Sequence, residues 1–192
     1  MNNWWREPLK TCTPEELEQI IVAPNYGQYI LPTDSYNQVF DNIFLGDETI
    51  ARNIALLKSL SISHVLNAAF GNDLSLNMVN ISEKLYSESG IQWMPIGAID
   101  MSSFNLFQYF DESALFIHSA IIAGHNVLVH CKEGISRSAT LVVSYLMIIR
   151  GMTAQEAIRQ VRQNREIRPN DGFLRQLCYL NDRLFDTIMD SK

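Results

Sequence analysis

The chain has 192 residues, of which 47% are hydrophobic, and its formal net charge at pH 7 is −6. This length and composition are sufficient for one domain with a full core, and no shift in composition indicates a second domain. The negative charge argues against nucleic acid or a membrane surface as the main partner, because both are bound through positive fields.

The cysteines and the N-terminal segment bear on cofactors and location. Cys12, Cys131 and Cys178 form an odd set without Cys-x-x-Cys spacing. This pattern indicates neither a disulfide framework nor a zinc site, and we predict no metal ion and no cofactor. The N-terminal sequence MNNWWREPLK lacks the apolar core of a signal peptide, and no stretch approaches the roughly 20 apolar residues of a membrane span. We therefore expect a soluble protein of the cytoplasm, the nucleus or both.

Capping and turn signals divide the first half of the chain into alternating elements. Thr13-Pro14-Glu15-Glu16 predicts the start of a short helix, and residues 26–36 read as a loop. The elements predicted next are two short strands around a turn from Val39 to Leu45, a helix from Asp47 to Leu60, a strand from Ile62 to Asn67, a helix from Leu74 to Ser89 and a strand from Ile91 to Ile96.

The second half continues the alternation. The predicted elements are a helix from Leu106 to Ala123, a strand from Asn126 to His130, and helices from Ser136 to Arg150, Thr153 to Asn164 and Asp171 to Ile188. Such an order predicts an α/β fold with a central, mostly parallel sheet of about five strands and helices on both faces.

The segment from Val127 to Ser138 carries the strongest chemical signal, because a buried strand runs into a cysteine, a short polar loop and a helix. Five residues separate Cys131 from Arg137, enough to wrap one ring of backbone N–H groups around a tetrahedral dianion. The arginine offers a planar fork, and the helix N-terminus favours negative charge. A cysteine after an apolar strand is more often a buried small hydrophobe. These surroundings instead stabilise a thiolate, so we predict that Cys131 is a nucleophile.

The string HCKEGISRS resembles the HCxxGxxRS/T signature of the cysteine-dependent protein tyrosine phosphatases. The short chain points to the dual-specificity branch, and the segments 62–69, 104–110 and 161–184 resemble its atypical, VHR-like members. The resemblance is patchy before Asn37 and strong from there to Leu184. It implies a catalytic domain over residues 37–188, with residues 1–36 as an N-terminal extension that carries a short helix and belongs to the same domain.

The resemblance also assigns roles around the loop. It implies that Ser138 stabilises the cysteine when it leaves the phosphoenzyme and that His130 orders the loop. The residues that it places around the substrate are Lys132, Glu133, Gly134, Ile135, Ser136 and Arg165. In VHR-like enzymes the residue matching Arg165 offers a site for a second phosphate. The alternative interpretation is that Arg165 only braces the helix end.

A second catalytic group must protonate the leaving oxygen from the side opposite the thiolate. The candidate is Asp100, which follows the predicted strand ending at Ile96. An aspartate in a loop is usually a solvated charge or a helix cap, but the resemblance places the family's general acid four residues before a Phe-Asn-Leu such as the one at Phe104. Asp111 and Asp73 remain the alternatives.

The sequence therefore predicts a protein phosphatase that hydrolyses phosphotyrosine and phosphoserine or phosphothreonine through a cysteinyl-phosphate. Its expected partners are phosphoprotein substrates, with mitogen-activated protein kinases suggested by the resemblance, and the chain is expected to be a monomer or weak homodimer. One rival is a non-catalytic phosphoprotein-binding module, which an intact Cys131 and Arg137 disfavour. The other is a phosphoinositide phosphatase, which needs more positive charge than a loop containing Glu133 provides.

Overall fold

A computed structural model describes residues 12–185 of the chain. Its centre is a five-stranded sheet in the order β1-β2-β5-β3-β4. The strands are β1 (Tyr36–Phe40), β2 (Ile43–Gly46), β3 (Ile62–Asn67), β4 (Gln92–Pro95) and β5 (Asn126–His130). Strand β1 runs antiparallel to β2, and the other pairs are parallel. The predicted α/β fold with a mostly parallel sheet is confirmed.

Helices cover the two faces of this sheet. They are α1 (Pro14–Val22), α2 (Glu48–Arg52), α3 (Ile54–Ser59), α4 (Glu83–Ser87), α5 (Phe110–Ile122), α6 (Arg137–Arg150), α7 (Ala154–Arg162) and α8 (Asp171–Phe185). Single 3₁₀ turns lie at Ala23–Asn25, Leu74–Leu76 and Phe107–Tyr109. The predicted end of the last helix, Ile188, lies outside the described residues. No helix within residues 12–185 is long and apolar enough to cross a bilayer.

Helix α6 is the centre of the larger helical layer. It packs against α5, α7 and α8 and against the strands β2 and β5. Its residues from Arg137 to Met147 are all buried. This explains the long apolar run after the cysteine loop, since a helix enclosed on several sides has no polar face to show to water. The same enclosure fixes the N-terminal end of α6, where the loop begins.

Helix α1 docks on this layer. Its N-cap is Thr13, whose side chain accepts a hydrogen bond from the Glu16 backbone N–H at 3.2 Å, as the capping pattern predicts. The guanidinium of Arg162 in α7 donates from Nε to the Ile21 carbonyl at 2.8 Å. Helix α1, which precedes the sheet in the chain, therefore packs into the same core as the elements that follow it.

Two predicted helices are wrong in their extent. The helix expected from Asp47 to Leu60 is split into α2 and α3, because Asn53 leaves the helical region and its side chain caps the second helix at the Leu56 N–H. The helix expected from Leu74 to Ser89 is one 3₁₀ turn followed later by α4. Between them the backbone is extended, and Val79 forms an isolated parallel bridge with Phe70.

Candidate active site

Strand β5 lies in the middle of the sheet and delivers Cys131 to its carboxyl edge. His130, the last residue of β5, is in register with Gly46 at the end of β2 and Asn67 at the end of β3. Cys131 follows directly, at the edge where ligands bind in parallel α/β sheets. Residues 131–137, here called the phosphate loop, then lead into α6.

The carbonyls of residues 132–135 point outward to partners elsewhere in the fold. The carbonyl of Lys132 accepts from the Glu48 N–H, and that of Ile135 accepts from the Arg168 N–H. Between them, the carbonyls of Glu133 and Gly134 both accept from the guanidinium of Arg165, at 3.1 and 2.9 Å. Because the N–H on each peptide points opposite to its carbonyl, the amides of residues 133–136 face inward and form a ring for an anion.

Gly134 is required at the middle of this loop. Its φ of +69° lies in the left-handed region, and a Cβ there would come within 2.3 Å of the Gly46 carbonyl oxygen and 2.8 Å of Arg165 Nη2. The glycine therefore permits both the turn of the loop and its close approach to β2.

The sulfur of Cys131 sits at the bottom of the ring and is almost fully buried. It accepts hydrogen bonds from the Gly134 N–H and from Ser138 Oγ, both at 3.2 Å. Burial by itself would raise the pKa of the thiol, but the charge of Arg137 and the hydrogen bonds from Ser138 and Gly134 outweigh it. The net pKa of Cys131 is lowered, as expected for a nucleophilic thiolate.

Arg137 is buried beside the thiol, and not all of its guanidinium N–H groups have a hydrogen-bond acceptor. Its side chain is only 2% exposed. Nη1 donates to the Ala98 carbonyl and Nη2 to the Asn77 carbonyl, each at 3.1 Å, and these two bonds fix the plane of the guanidinium. Nε has no hydrogen-bond partner among the described residues. A buried N–H without an acceptor is costly, so this donor fits an anion held in the loop.

Asp100 lies at the mouth of the same site. Its Oδ1 accepts from Ser136 Oγ and from Asn170 Nδ2, both at 2.8 Å, and its Oδ2 is 3.6 Å from Arg137 Nε. The side chain remains 29% exposed. The structure therefore brings the predicted acid together with the phosphate loop, on a loop of residues 96–106 that we call the acid loop.

The two alternative acids occupy other roles. Asp73 is exposed and caps the 3₁₀ turn that follows it, with Oδ1 accepting from the N–H and the hydroxyl of Ser75. Asp111 is exposed in the first turn of α5, where a carboxylate interacts favourably with the helix dipole. Neither has a hydrogen bond to the phosphate loop among the described residues.

His130 has the surroundings of a structural residue. It is fully buried, and its Nδ1 lies 3.2 Å from the carbonyl of Cys131. Burial lowers the pKa of His130 to about 4, so the ring is neutral at physiological pH. A neutral imidazole at this position can order the loop through hydrogen bonds. It does not act as an acid near neutral pH, because its protonated form is not populated there.

The remaining predicted residues form the rim. Lys132 pairs with Glu48, Glu133 is exposed, and Ile135 is half-buried. Arg165 differs from these, because it is 3% exposed and also donates from Nη1 to the Asp34 carbonyl and to Asn37 Oδ1. These contacts favour the bracing interpretation of Arg165, while a second phosphate site there stays a prediction.

Sequence reasoning missed Asn170 as a functional residue. It precedes α8, and its Oδ1 accepts from the Phe173 N–H, which is what an Asn-Asp-Gly at a helix start predicts. Its Nδ2 is the part that holds Asp100, 70 residues away in sequence. Local pattern indicates the cap, and only the fold reveals the second contact.

Comparison with known proteins agrees with this geometry. Residues 43–183 match the catalytic domain family of the dual specificity phosphatases. The chain is 42% identical to mouse dual specificity protein phosphatase 26 over 149 residues, which cover 77% of this chain and 68% of that protein.

Two solved structures share the fold. The crystal structure of human DUSP28 superposes with a TM-score of 0.68 at 23% identity, covering 81% of this chain and 99% of that one. PTPMT1 in complex with PI(5)P gives a TM-score of 0.66 at 21% identity, covering 81% and 99%. With the family match and the sequence identity above, the chain belongs to the dual-specificity protein phosphatase family.

Proposed function

We propose that this enzyme hydrolyses phosphotyrosine and phosphoserine or phosphothreonine in proteins through a cysteinyl-phosphate on Cys131. The observation that carries the proposal is the buried anion cradle. A thiol with a lowered pKa lies under a ring of inward-facing amides, next to an arginine with an unused buried donor. A phosphoryl dianion supplies the acceptor that this arrangement lacks.

In the first step, Cys131 Sγ attacks phosphorus and the bond from phosphorus to the leaving oxygen breaks. Asp100 gives its proton to that oxygen, so the product leaves as an alcohol or phenol. Arg137 and the amides of residues 133–136 hold the three equatorial oxygens. Because these donors are already in place, they stabilise the transition state without reorganising.

In the second step, the Asp100 carboxylate takes a proton from water as the water oxygen attacks phosphorus. The phosphorus–sulfur bond breaks, inorganic phosphate forms, and Cys131 leaves as a thiolate. Ser138 donates to that sulfur at 3.2 Å, which makes it a better leaving group. The same hydrogen bond therefore assists both steps by stabilising negative charge on sulfur.

The charges at the rim favour a protein substrate over a phosphoinositide. The cavity beside the loop is lined by Asp34, Asp47 and Glu133, and its cations are engaged with other groups: Lys132 with Glu48, and Arg165 with loop carbonyls. With three carboxylates against two cations, this lining is net negative and disfavours a polyphosphorylated headgroup. Among proteins, mitogen-activated protein kinases are the candidate substrates that the VHR-like resemblance suggests.

The test is a substrate panel with Cys131→Ser as the matched variant. Wild type in the presence of a chelator should hydrolyse phosphotyrosine and phosphothreonine peptides, including kinase activation-loop peptides, faster than soluble phosphoinositides. Cys131→Ser should bind the peptides but not turn them over, because the cradle cannot ionise a hydroxyl. Cys178→Ser, a buried cysteine replaced away from the loop, controls for the substitution itself.

Three results would contradict the proposal. Turnover by Cys131→Ser above a few per cent of wild type would exclude the cysteine as nucleophile. Preferred hydrolysis of phosphoinositides would support the lipid phosphatase alternative. Peptide binding by wild type without hydrolysis would support the non-catalytic binding module.

A further inference from the structure

The acid loop leans on one face of helix α8. The residues of α8 that contact it or the turn after it are Gly172, Gln176, Tyr179 and Arg183. Their spacing of four, three and four residues places them along a single face of the helix. Phe107 stands at the end of the acid loop and packs edge-on against Tyr179, with ring centroids 5.2 Å apart, and beneath the Arg183 guanidinium at 5.6 Å.

The side-chain amide of Gln176 makes two hydrogen bonds, one with the acid loop and one with the turn that follows it. Its Nε2 donates to the Phe104 carbonyl at 2.9 Å, and its Oε1 accepts from the Phe107 N–H at 2.7 Å. These two backbone groups lie where the chain changes direction from the loop into a 3₁₀ turn, and strand pairing does not satisfy them. The Phe104 carbonyl also accepts from the Leu106 N–H at 3.1 Å, so Gln176 adds a second donor to that carbonyl and supplies a side-chain acceptor for the Phe107 N–H.

Gly172 provides the second contact. A Cβ built on Gly172 would lie 1.9 Å from the Ser102 carbonyl oxygen, which is far inside any tolerable contact. The acid loop therefore rests directly on the backbone of the first turn of α8. Ser102 is two residues from Asp100, so this contact constrains the backbone that carries the carboxyl group, in addition to its direct hydrogen bonds with Ser136 and Asn170.

We propose that Gly172 and Gln176 are positioning residues that hold the acid loop with Asp100 over the phosphate loop. This inference rests on the proposed role of Asp100 as general acid. Neither residue touches the substrate. Loosening their contacts lets Asp100 move away from the leaving oxygen, while Cys131 and Arg137 stay in place because β5 and α6 hold them.

The test is Gln176→Leu, which keeps the side chain's size and removes both hydrogen bonds. For aryl phosphates with poor leaving groups, which need the proton, kcat/KM should fall about tenfold, since two neutral hydrogen bonds are lost. For aryl phosphates with strongly acidic leaving groups it should stay near wild type. Gln176→Glu keeps an acceptor for the Phe107 N–H and should recover part of the loss.

Gln160→Leu is the matched control, because Gln160 also donates to a distant carbonyl, that of Val39 at 3.2 Å, but lies away from the acid loop. Any change in kcat/KM caused by Gln160→Leu should be the same for all leaving groups. In the background of Asp100→Asn, Gln176→Leu should have no further effect, since the group that it positions is gone.

Equal losses for all leaving groups, or an additive loss on top of Asp100→Asn, would overturn the positioning role. Failure of the proposed role of Asp100 gives a different result. The loss of kcat/KM caused by Asp100→Asn itself would then be the same for all leaving groups. That result would show that Asp100 is not the general acid, and this inference would fail with it.

A separate observation concerns the two cysteines outside the active site. Cys12 Sγ lies 2.7 Å from Cys178 Sγ, and both side chains are buried. Cys12 precedes the N-cap of α1, and Cys178 lies on α8, 166 residues away. Both are free thiols. The sulfurs need only a small shift to reach the roughly 2.05 Å of a disulfide bond.

We infer that Cys12 and Cys178 form a disulfide when the enzyme meets a peroxide. One thiol loses its proton and the resulting thiolate attacks a peroxide oxygen; the O–O bond breaks, giving a sulfenic acid and a hydroxide that takes up the released proton as water. The second thiol attacks the sulfenic sulfur, the S–S bond forms, and a second water leaves, so two thiols lose two electrons to one hydrogen peroxide. The contact with Cys12, together with burial, raises the pKa of Cys178. The pair should therefore react more slowly than Cys131.

The test uses the Cys131→Ser chain, in which only this pair is left to oxidise. After hydrogen peroxide, alkylation and non-reducing digestion, the peptides of Cys12 and Cys178 should be found joined. Closing so long a loop should raise Tm by roughly 10 °C, and a dithiol reductant should reverse it. In a chain that also carries Cys12→Ser, neither change should occur. Thiols that stay alkylatable, or a link between two copies, would overturn the inference.

Discussion

The phosphate loop and the acid loop meet over one site, but they are held in different ways. The phosphate loop is fixed largely through its own main chain: its carbonyls at residues 132–135 all have partners, and Cys131, Gly134 and Arg137 are buried. The acid loop is held by side chains of Asn170 and Gln176 and by contact with Gly172, and it is exposed at Met101.

This difference separates two parts of the chemistry. In the proposed mechanism, anion binding and thiolate formation depend on the fold, because the central strand β5 and the buried helix α6 hold the two ends of the phosphate loop. In the proposed mechanism, proton delivery by Asp100 depends on a few hydrogen bonds that can be lost singly. Changes that move the backbone of the phosphate loop should therefore damage binding, stability and turnover together, whereas changes near the acid loop should affect turnover alone and only for substrates that need a proton.

The largest expected effect comes from Gly134→Ala. Its Cβ would collide with the Gly46 carbonyl, so the loop must shift, and we expect a loss of about 3 kcal/mol in the free energy of unfolding together with loss of vanadate binding. Gly151→Ala is the matched control: Gly151 has a φ of +68°, nearly the same as Gly134, but nothing lies within 4 Å of its added Cβ. It should cost about 1 kcal/mol and leave activity intact. Equal effects in urea unfolding would show that strain, not the collision, matters.

Asp100→Asn should come next. The amide keeps most of the contacts to Ser136 and Asn170 but supplies no proton, so kcat/KM for phosphotyrosine peptides should fall about 100-fold. The loss should shrink as the leaving group becomes more acidic, and vanadate should still bind. Steady-state kinetics on a series of aryl phosphates measures this. A loss that is independent of the leaving group would direct attention to Asp111.

Ser138→Ala sharpens the account of the thiolate. A hydrogen bond to a charged sulfur contributes about 1.5–2 kcal/mol, so its removal should raise the pKa of Cys131 by roughly one unit. Because the pKa of Cys131 is depressed in wild type, its thiolate persists to lower pH. In the variant the pKa is higher, so the thiolate becomes protonated at a higher pH as the pH falls. The pH dependence of iodoacetamide alkylation measures the shift. Ser144→Ala, which removes a buried hydroxyl bonded to the Leu141 carbonyl on the same helix, should not move it.

Arg165→Ala addresses the two interpretations of that residue and has the smallest expected contrast. If Arg165 braces the loop, kcat/KM should fall about tenfold for singly and doubly phosphorylated Thr-x-Tyr peptides alike, because the carbonyls of Glu133 and Gly134 lose their donor. A second phosphate site would penalise the doubly phosphorylated peptides more. Arg159→Ala, an exposed arginine of α7, is the control.

The sequence was most informative where the chemistry is local. The cysteine, the glycine, the arginine and the serine of the phosphate loop lie within eight consecutive residues, so their spacing alone indicates the cradle. The strands and most helices follow from periodicity and caps for the same reason. Asp100 needed the family resemblance, because nothing in its own neighbourhood distinguishes it from a solvated aspartate.

Other features depend on contacts that span most of the chain. The helix predicted from Leu74 is broken where Asn77 adopts a left-handed conformation, and the Asn77 carbonyl accepts a hydrogen bond from Arg137, 60 residues later. The bonds of Arg165 to Asp34 and Asn37 join residues that are 131 and 128 positions apart in the sequence. Periodicity carries no information on such pairs, since they are set by which elements the sheet places side by side.

The most direct test of the account is to trap the covalent intermediate. Wild-type enzyme mixed with an aryl phosphate that has an acidic leaving group, and quenched in acid within milliseconds, should carry one phosphate on the peptide that contains Cys131. Cys131→Ser should carry none. Phosphate found on any other residue, or its absence during a demonstrated burst of the leaving group, would contradict a mechanism in which the buried thiolate is the nucleophile.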